Sequence, residues 1–246
     1  AVLSCNGLRL ALLAVATTVP PGAAARGSGP GMAALKVETA YRIDPSLLHE
    51  QPGTPPYVHT WMPAEEVERL QEAAANARKV ADVVVVSIHW GVGHEDEPAQ
   101  YQRQVARALA EAGVCLVLGH HPHQLQGLGV EGKTYVIYSL GDFLRQFRRP
   151  AHIRLPGSVL IDEAKARRSL VVRAHIGRTG VEKLEVVPVF LDDAGEPQIA
   201  SGDTEKAILE WLGQLSTPLG GRLQRLPEGG ALLLPANQAE AGGSTS

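Results

Sequence analysis

A nearly continuous run of β-branched residues most constrains how this chain can fold. Residues 82–88, Asp-Val-Val-Val-Val-Ser-Ile, would present apolar side chains on both sides of an extended backbone. They therefore predict a strand that is buried on both faces. A helical pattern follows over residues 98–112, and a second apolar segment covers residues 115–118. This order predicts a β-α-β unit and places the chain in the α/β class.

The flanking segments predict the rest of one layered domain. Pro63, the acidic residues after it and the basic residues before Val80 indicate a helix over residues 63–80. Residues 8–19 resemble a secretory signal, but the Asn6-Gly7 turn before them favours a strand. We also expect strands over residues 35–43, 135–138, 158–161, 169–176 and 181–190. A further helix is expected over residues 204–215. The domain is expected to cover residues 1–226, and the Gly-, Ala- and Ser-rich residues 227–246 to form a disordered tail beyond an apolar patch at 232–234.

Histidine follows both strands of the β-α-β unit. His89 ends the first strand, and His120, His121 and His123 follow the second. Because parallel strands build sites at their carboxyl ends, we expect these imidazoles to lie together. Neutral imidazole binds zinc and other first-row divalent ions, so the cluster favours a metal site over a structural or chance grouping. Alternation in an extended chain would place His121 and His123 on one face and His120 on the other, unless the intervening proline breaks the pattern.

The same region carries several short motifs in a fixed order. They are His-Trp-Gly at 89–91, a glutamine-containing helix, Gly-His-His-Pro-His at 119–123 and Tyr-Ser-Leu-Gly-Asp-Phe at 138–143. This stretch resembles the signature region of the CapA family of capsule and poly-γ-glutamate biosynthesis proteins, which belongs to the calcineurin-like metallophosphoesterase superfamily. Residues 6–18 and 186–197 resemble the family more weakly. The resemblance implies a metallophosphoesterase-like layered fold, two sheets flanked by helices, with a binuclear divalent-metal site and hydrolase chemistry.

The resemblance also implies roles for the histidines. His89, His121 and His123 are the expected metal ligands, and His89 and His120 the expected catalytic residues. The spacing of the superfamily's Gly-His-x-His motif favours His121 with His123, whereas His120 keeps the position beside the glycine, so the choice among them stays open. The superfamily's upstream aspartate and asparagine ligands have no counterpart before His89, and the chain begins with Ala1. We therefore expect that the N-terminal portion of the domain is absent and that this chain alone has weak activity at best.

Four further residues beside the cluster are expected to support it or to contact substrate: Trp90, His94, Asp142 and Arg145. Asp142 replaces the family's asparagine and is an added ligand, a hydrogen-bond partner of a ligand histidine or a loop-capping residue. His94 lies in an acidic loop that either closes over substrate or is simply solvated. Arg145 begins a basic run, 145–149, that suits an anionic substrate or forms a solvated turn. Cys115 reads as a buried thiol in preference to a ligand.

Composition and the family resemblance together limit the kinds of partner that we expect. A net charge of −3 gives no overall attraction to nucleic acid, and no apolar run is long enough to span a bilayer. The resemblance implies a phosphoester or anionic-polymer substrate, capsule-synthesis membrane proteins as partners and a place at the bacterial cell envelope. The alternatives are a non-catalytic envelope component that binds or exports polymer and a mononuclear zinc-binding domain.

Overall fold

The computed structural model describes residues 1–145 and 162–236. The strands are β1 (Val2–Cys5), β2 (Leu8–Ala16), β3 (Glu38–Arg42), β4 (Tyr57–Trp61), β5 (Val83–His89), β6 (Leu116–His120), β7 (Leu128–Glu131), β8 (Thr134–Ile137), β9 (Arg168–Gly177), β10 (Gly180–Leu191), β11 (Pro197–Ile199), β12 (Gly221–Arg225) and β13 (Ala231–Pro235). The α-helices are α1 (Pro45–Glu50), α2 (Ala64–Arg78), α3 (Gln100–Glu111), α4 (Glu163–Ala166) and α5 (Gly202–Ser216), and a 3-10 turn covers Thr217–Leu219.

The first sheet contains the predicted β-α-β unit. Its six strands lie in the order β1-β2-β5-β6-β8-β7, and α3 connects β5 to β6. The four central strands are parallel, whereas the edge strands β1 and β7 are antiparallel to their neighbours. The strand predicted over residues 8–19 is confirmed over its first part as β2, and Asn6 and Gly7 form the expected turn before it with φ of 49° and 74°.

Strand β5 is buried on both faces, as its sequence predicts. Val84, Val86 and Ile88 pack into a core cluster with residues of α2 and α3. Val83 and Val85 point the other way, into a second cluster shared with the second sheet and α5. The first sheet therefore lies between a helical layer and the second sheet. This arrangement confirms the expected α/β class with two sheets flanked by helices.

The second sheet is antiparallel and uses more of the chain than the sequence predicts. Strand β10 pairs with β9, β11 and β13, and β13 also pairs with β12. The expected apolar patch at 232–234 lies within β13, and Leu233 enters the core shared with the first sheet, so the folded region continues past the expected boundary at residue 226. Residues 237–246 and the strand expected at 158–161 lie outside the described residues.

A separate two-stranded sheet stands beside the helical layer. It pairs β3 with β4, so the strand expected over 35–43 is confirmed only from Glu38 to Arg42. Within residues 1–145 and 162–236, no helix has both the length and the apolar character needed to cross a membrane.

Candidate functional site

Two histidines are brought together by the register of the first sheet. His89 and His120 are the paired last residues of β5 and β6. In β5, His89 follows the alternation of Val83 and Val85, which face the second sheet. In β6, His120 follows Leu116 in the same way. Both imidazoles therefore lie at the carboxyl edge of the sheet, on the side that faces the second sheet.

The turn after β6 adds two more histidines to the same place. His121 and His123 have positive φ angles of 101° and 57°, which non-glycine residues adopt uncommonly. The backbone is therefore not extended here. His89, His120, His121 and His123 all line one open cavity of about 490 Å³. The alternation that would have placed His120 on the opposite face from His121 and His123 does not hold, because the backbone is left-handed at His121 and His123, on either side of Pro122.

One hydrogen bond joins two of the four histidines, and a third ring lies close to it. The Nε2 atom of His89 and the Nδ1 atom of His121 are 3.0 Å apart, with ring centroids separated by 4.7 Å. The His121 and His123 centroids are 5.8 Å apart. Burial is the main cause that lowers the pKa values of His89, His120 and His121, so the neutral imidazole is favoured at each position.

The side chains in the cavity are of the types that bind divalent metal ions, but they are not arranged around one common point. Neutral imidazoles with a carboxylate beside them are suitable ligands for first-row metals. However, in the part of the chain that the structure describes, no three His, Cys, Asp or Glu side chains converge closely enough to hold an ion. Instead, the facing nitrogens of His89 and His121 bind each other. A metal ligated by both rings through these nitrogens would have to replace that hydrogen bond.

Asp142 is the hydrogen-bond partner of His123. Its Oδ1 atom lies 2.9 Å from His123 Nδ1, and its Oδ2 atom lies 3.1 Å from an Nη atom of Arg145. Burial acts to raise the pKa of Asp142, but the hydrogen bond and the charges of His123 and Arg145 outweigh it and hold the pKa below its usual range. An ionised carboxylate only accepts, so His123 donates through Nδ1, and in the neutral form of the ring its Nε2 atom is then the acceptor.

Trp90 and His94 both lie in the segment that follows β5, but they have different surroundings. Trp90 is fully buried, stacks on Tyr138 and donates its indole N–H to the Tyr138 carbonyl at 2.9 Å. Of the roles expected for Trp90, contact with substrate does not fit this burial; the ring is a core residue that packs beside the cluster. His94 returns to the site: its backbone N–H donates to the Pro122 carbonyl at 2.8 Å, and its ring stacks near that of His123 at 6.0 Å.

Several site residues were missed by sequence reasoning. Residues 169–172 of β9 form one wall of the cavity, and no local pattern marks a strand so far along the chain as a neighbour of His89. Three glutamines beside the cluster, Gln102, Gln124 and Gln126, are almost completely buried. The signal for Gln124 and Gln126 was present, since they directly follow the histidine turn and flank the apolar Leu125.

Two candidates from the sequence remain, Cys115 and Arg145, and only Arg145 lies near the site. Cys115 precedes β6, at the opposite end of the strand from His120, and burial raises the pKa of its thiol to about 11. It is the expected buried thiol. Arg145 reaches the site through Asp142, whereas residues 146–149 of the basic run lie outside the described residues.

Comparison with known proteins identifies the family. The model of the family described as "Bacterial capsule synthesis protein PGA_cap" matches residues 1–146. The chain belongs to the PGA_cap family. The match contains the whole histidine cluster and Asp142 and ends before the second sheet begins.

Two relatives of this chain carry CapA names, which confirms the CapA resemblance. The PGA biosynthesis protein CapA of Bacillus subtilis is 34% identical over 122 residues, covering 49% of this chain and 28% of that protein. The capsule biosynthesis protein CapA of Bacillus anthracis is 27% identical over 176 residues, covering 71% and 38%. The matched regions thus span less than two-fifths of either relative.

A solved structure also shares some similarity. It is a Staphylococcus aureus protein provisionally assigned as a 5'-nucleotidase and crystallised with alpha-ketoglutarate. The similarity has a TM-score of 0.39 at 15% identity, covering 87% of this chain and 34% of that one.

Proposed function

We propose that this PGA_cap chain carries a metal-dependent hydrolase site of the metallophosphoesterase type, used in capsule or poly-γ-glutamate biosynthesis at the bacterial cell envelope. The observation that carries the proposal is the convergence of His89, His120, His121 and His123 on one cavity at the carboxyl edge of a parallel sheet. In α/β folds this edge is where ligands bind.

His89, His121 and His123 are the proposed metal ligands. Asp142 orients His123 so that Nε2 remains available, which is how carboxylates commonly support ligand histidines. A bound divalent ion would supply Lewis-acid activation of water near neutral pH. His120 also lines the cavity, and we assign it the task of stabilising charge that develops on the substrate.

The proposed substrate is anionic, either a phosphoester or a carboxylate-rich polymer. Arg145 lies beside Asp142 and adds positive charge near His94. The open cavity between the histidine turn and residues 169–172 of β9 supports access for either kind of substrate. Capsule-synthesis membrane proteins are the proposed partners, and this part of the proposal rests on the names of the relatives.

Metal binding by the purified chain tests the proposal most directly. Titration calorimetry with Zn²⁺ and Mn²⁺ should reveal a specific site whose affinity falls at least about tenfold in His89→Ala and His121→Ala, since each removes one ligand. Hydrolysis of bis(p-nitrophenyl) phosphate and of poly-γ-glutamate, measured with the same proteins, should require the metal and fall with it.

His59→Ala is the matched control, because His59 lies on the exposed hairpin strand β4, away from the cluster. It should bind metal as the parent does. Equal metal affinity and equal turnover in the parent, His89→Ala and His121→Ala would contradict the proposal. If the chain binds polymer without hydrolysing it, and added metal does not change that binding, the result would instead support the alternative function of a non-catalytic envelope component.

A further inference from the structure

We infer that the loop of residues 93–97 is fixed against the histidine turn by Gln124 and Gln126, and that His94 on this loop hydrogen-bonds an oxyanion of the substrate. The inference rests on the proposed function for its place in catalysis. It adds a substrate-contacting residue and two positioning residues that the metal chemistry does not require.

Buried glutamine side chains hold the loop by its backbone. Gln126 is fully buried, and its Nε2 atom donates to the carbonyls of Glu95 and Glu97 at 3.0 and 3.2 Å. Its Oε1 atom accepts from Gln102 Nε2 at 3.1 Å, and Gln102 Oε1 accepts from the backbone of Ala99 at 2.8 Å. An amide that is buried and fully paired is costly to displace, so the network fixes the loop.

Asp96 ties the loop to both halves of the structure. Its Oδ1 atom accepts from Gln124 Nε2 at 2.8 Å, and its Oδ2 atom pairs with Lys165 of α4, next to the second sheet. Gln124 directly follows the histidine turn. The side chains of Glu95 and Glu97 remain exposed, so the loop is held by its backbone and by Asp96 and not by its outer acidic groups.

The consequence of this anchoring is the position of His94. It has a left-handed φ of 63° and donates its backbone N–H to Pro122, inside the histidine turn. Its Nδ1 atom is buried and finds no hydrogen-bond partner among residues 1–145 and 162–236. A buried polar atom without a partner is unfavourable. Arg145 and His123 lie nearby and favour an anion, whereas the Asp142 carboxylate, which pairs with both of them, opposes it. Phosphate and carboxylate oxygens share this chemistry.

Hydrogen exchange of the full chain tests the positioning role without any assumption about catalysis. Gln126→Ala should speed exchange of the amides in residues 92–97 by about tenfold, because the loop loses the side-chain hydrogen bonds that hold its backbone and opens more often. Gln126→Glu keeps the shape and loses the donor, so it should act in the same direction if the alanine variant folds poorly.

Gln104→Ala is the matched control for this measurement. Gln104 lies on α3, as Gln102 does, and also makes two backbone hydrogen bonds, but to Met62 at 2.8 and 3.1 Å. It should leave exchange of residues 92–97 unchanged. If Gln126→Ala, Gln126→Glu and Gln104→Ala all show parental exchange in this loop, the positioning role is overturned.

Anion binding tests His94 itself. Inorganic phosphate and γ-glutamylglutamate are titrated into the EDTA-treated chain and followed by NMR of the histidine ring signals. His94→Gln should bind the effective probe about tenfold more weakly, in line with a hydrogen bond to a charged group, with loop exchange unchanged. Binding of phosphate alone would indicate a phosphoester substrate, and binding of both probes a general oxyanion site.

His59→Gln should match the parent in the same titration. Failure of the parent to bind either probe, or equal affinities in the parent and His94→Gln, would overturn the role of His94. Because EDTA removes metal, a loss of affinity in His94→Gln supports the inference even if metal-dependent hydrolysis is absent, so the two proposals fail separately.

Discussion

The Nε2 atom of His89 and the Nδ1 atom of His121 lie 3.0 Å apart and form a hydrogen bond between two strand ends. One ring must donate and the other accept, so at least one imidazole is neutral while the bond exists. Burial, followed by the charge of His123, lowers the pKa of His89; burial, followed by the charge of His89, lowers that of His121. The site is therefore arranged for neutral histidines.

Stability should fall as the pH is lowered from 7 to 5. The pKa values of His89, His94, His120 and His121 lie below their ordinary value of 6.5 in the folded chain. The unfolded chain then binds more protons, so stability is fully present above pH 6.5 and is lost as the pH falls below it. Thermal unfolding at several pH values measures this loss. His121→Asn should show a shallower fall, whereas His49→Asn, on the exposed helix α1, should follow the parent; identical profiles for all three proteins would refute this explanation.

Removing Asp142 should weaken metal binding through His123. Asp142→Ala deletes the acceptor that holds the ring, and we expect about a tenfold loss of Zn²⁺ affinity. Asp142→Asn keeps an acceptor oxygen and should lose less. Nitrogen chemical shifts of His123 report the tautomer, and calorimetry reports the affinity. Asp193→Asn removes an exposed aspartate that pairs with Arg167 and serves as the control. An unchanged His123 tautomer in Asp142→Ala would show that the carboxylate does not orient the ring.

Trp90 should matter for stability and not for substrate contact. Trp90→Phe leaves the buried Tyr138 carbonyl without its indole donor, which should cost about 1–3 kcal/mol. Gly119→Ala should cost about 2–3 kcal/mol, because a Cβ there would collide with the Tyr138 carbonyl and the Trp90 indole. Urea unfolding measures both. Trp61→Phe, in the peripheral hairpin, should stay within about 0.5 kcal/mol of the parent. Parental stability in Trp90→Phe would remove the structural role assigned here.

The two cysteines should differ sharply in reactivity. Cys5 is exposed, whereas Cys115 is buried, and burial raises the pKa of Cys115 to about 11. The thiolate is the reactive species, so iodoacetamide at pH 7.5 should label Cys5 in the native chain and both cysteines in urea. Mass spectrometry locates the label. Rapid native labelling of Cys115 would mean that the start of β6 opens readily.

Local patterns determined the elements on which the site stands. The β-branched run specified β5, and the helical pattern after residue 98 specified α3. These signals are local, because side-chain periodicity and turn residues act within one element. Histidine at both strand ends was therefore enough to predict a cluster at the sheet edge. The motifs there also led to the family.

Tertiary structure decided how that cluster is organised. His120 faces the cavity because β6 pairs with β5 in one register, and His121 and His123 join it because the turn is left-handed. The buried hydrogen bonds of Gln126 join groups about 24 to 31 residues apart in the chain. Strand β9 closes the cavity from much farther along the sequence. Such partners are chosen by packing between distant elements, and a one-dimensional pattern does not contain that information.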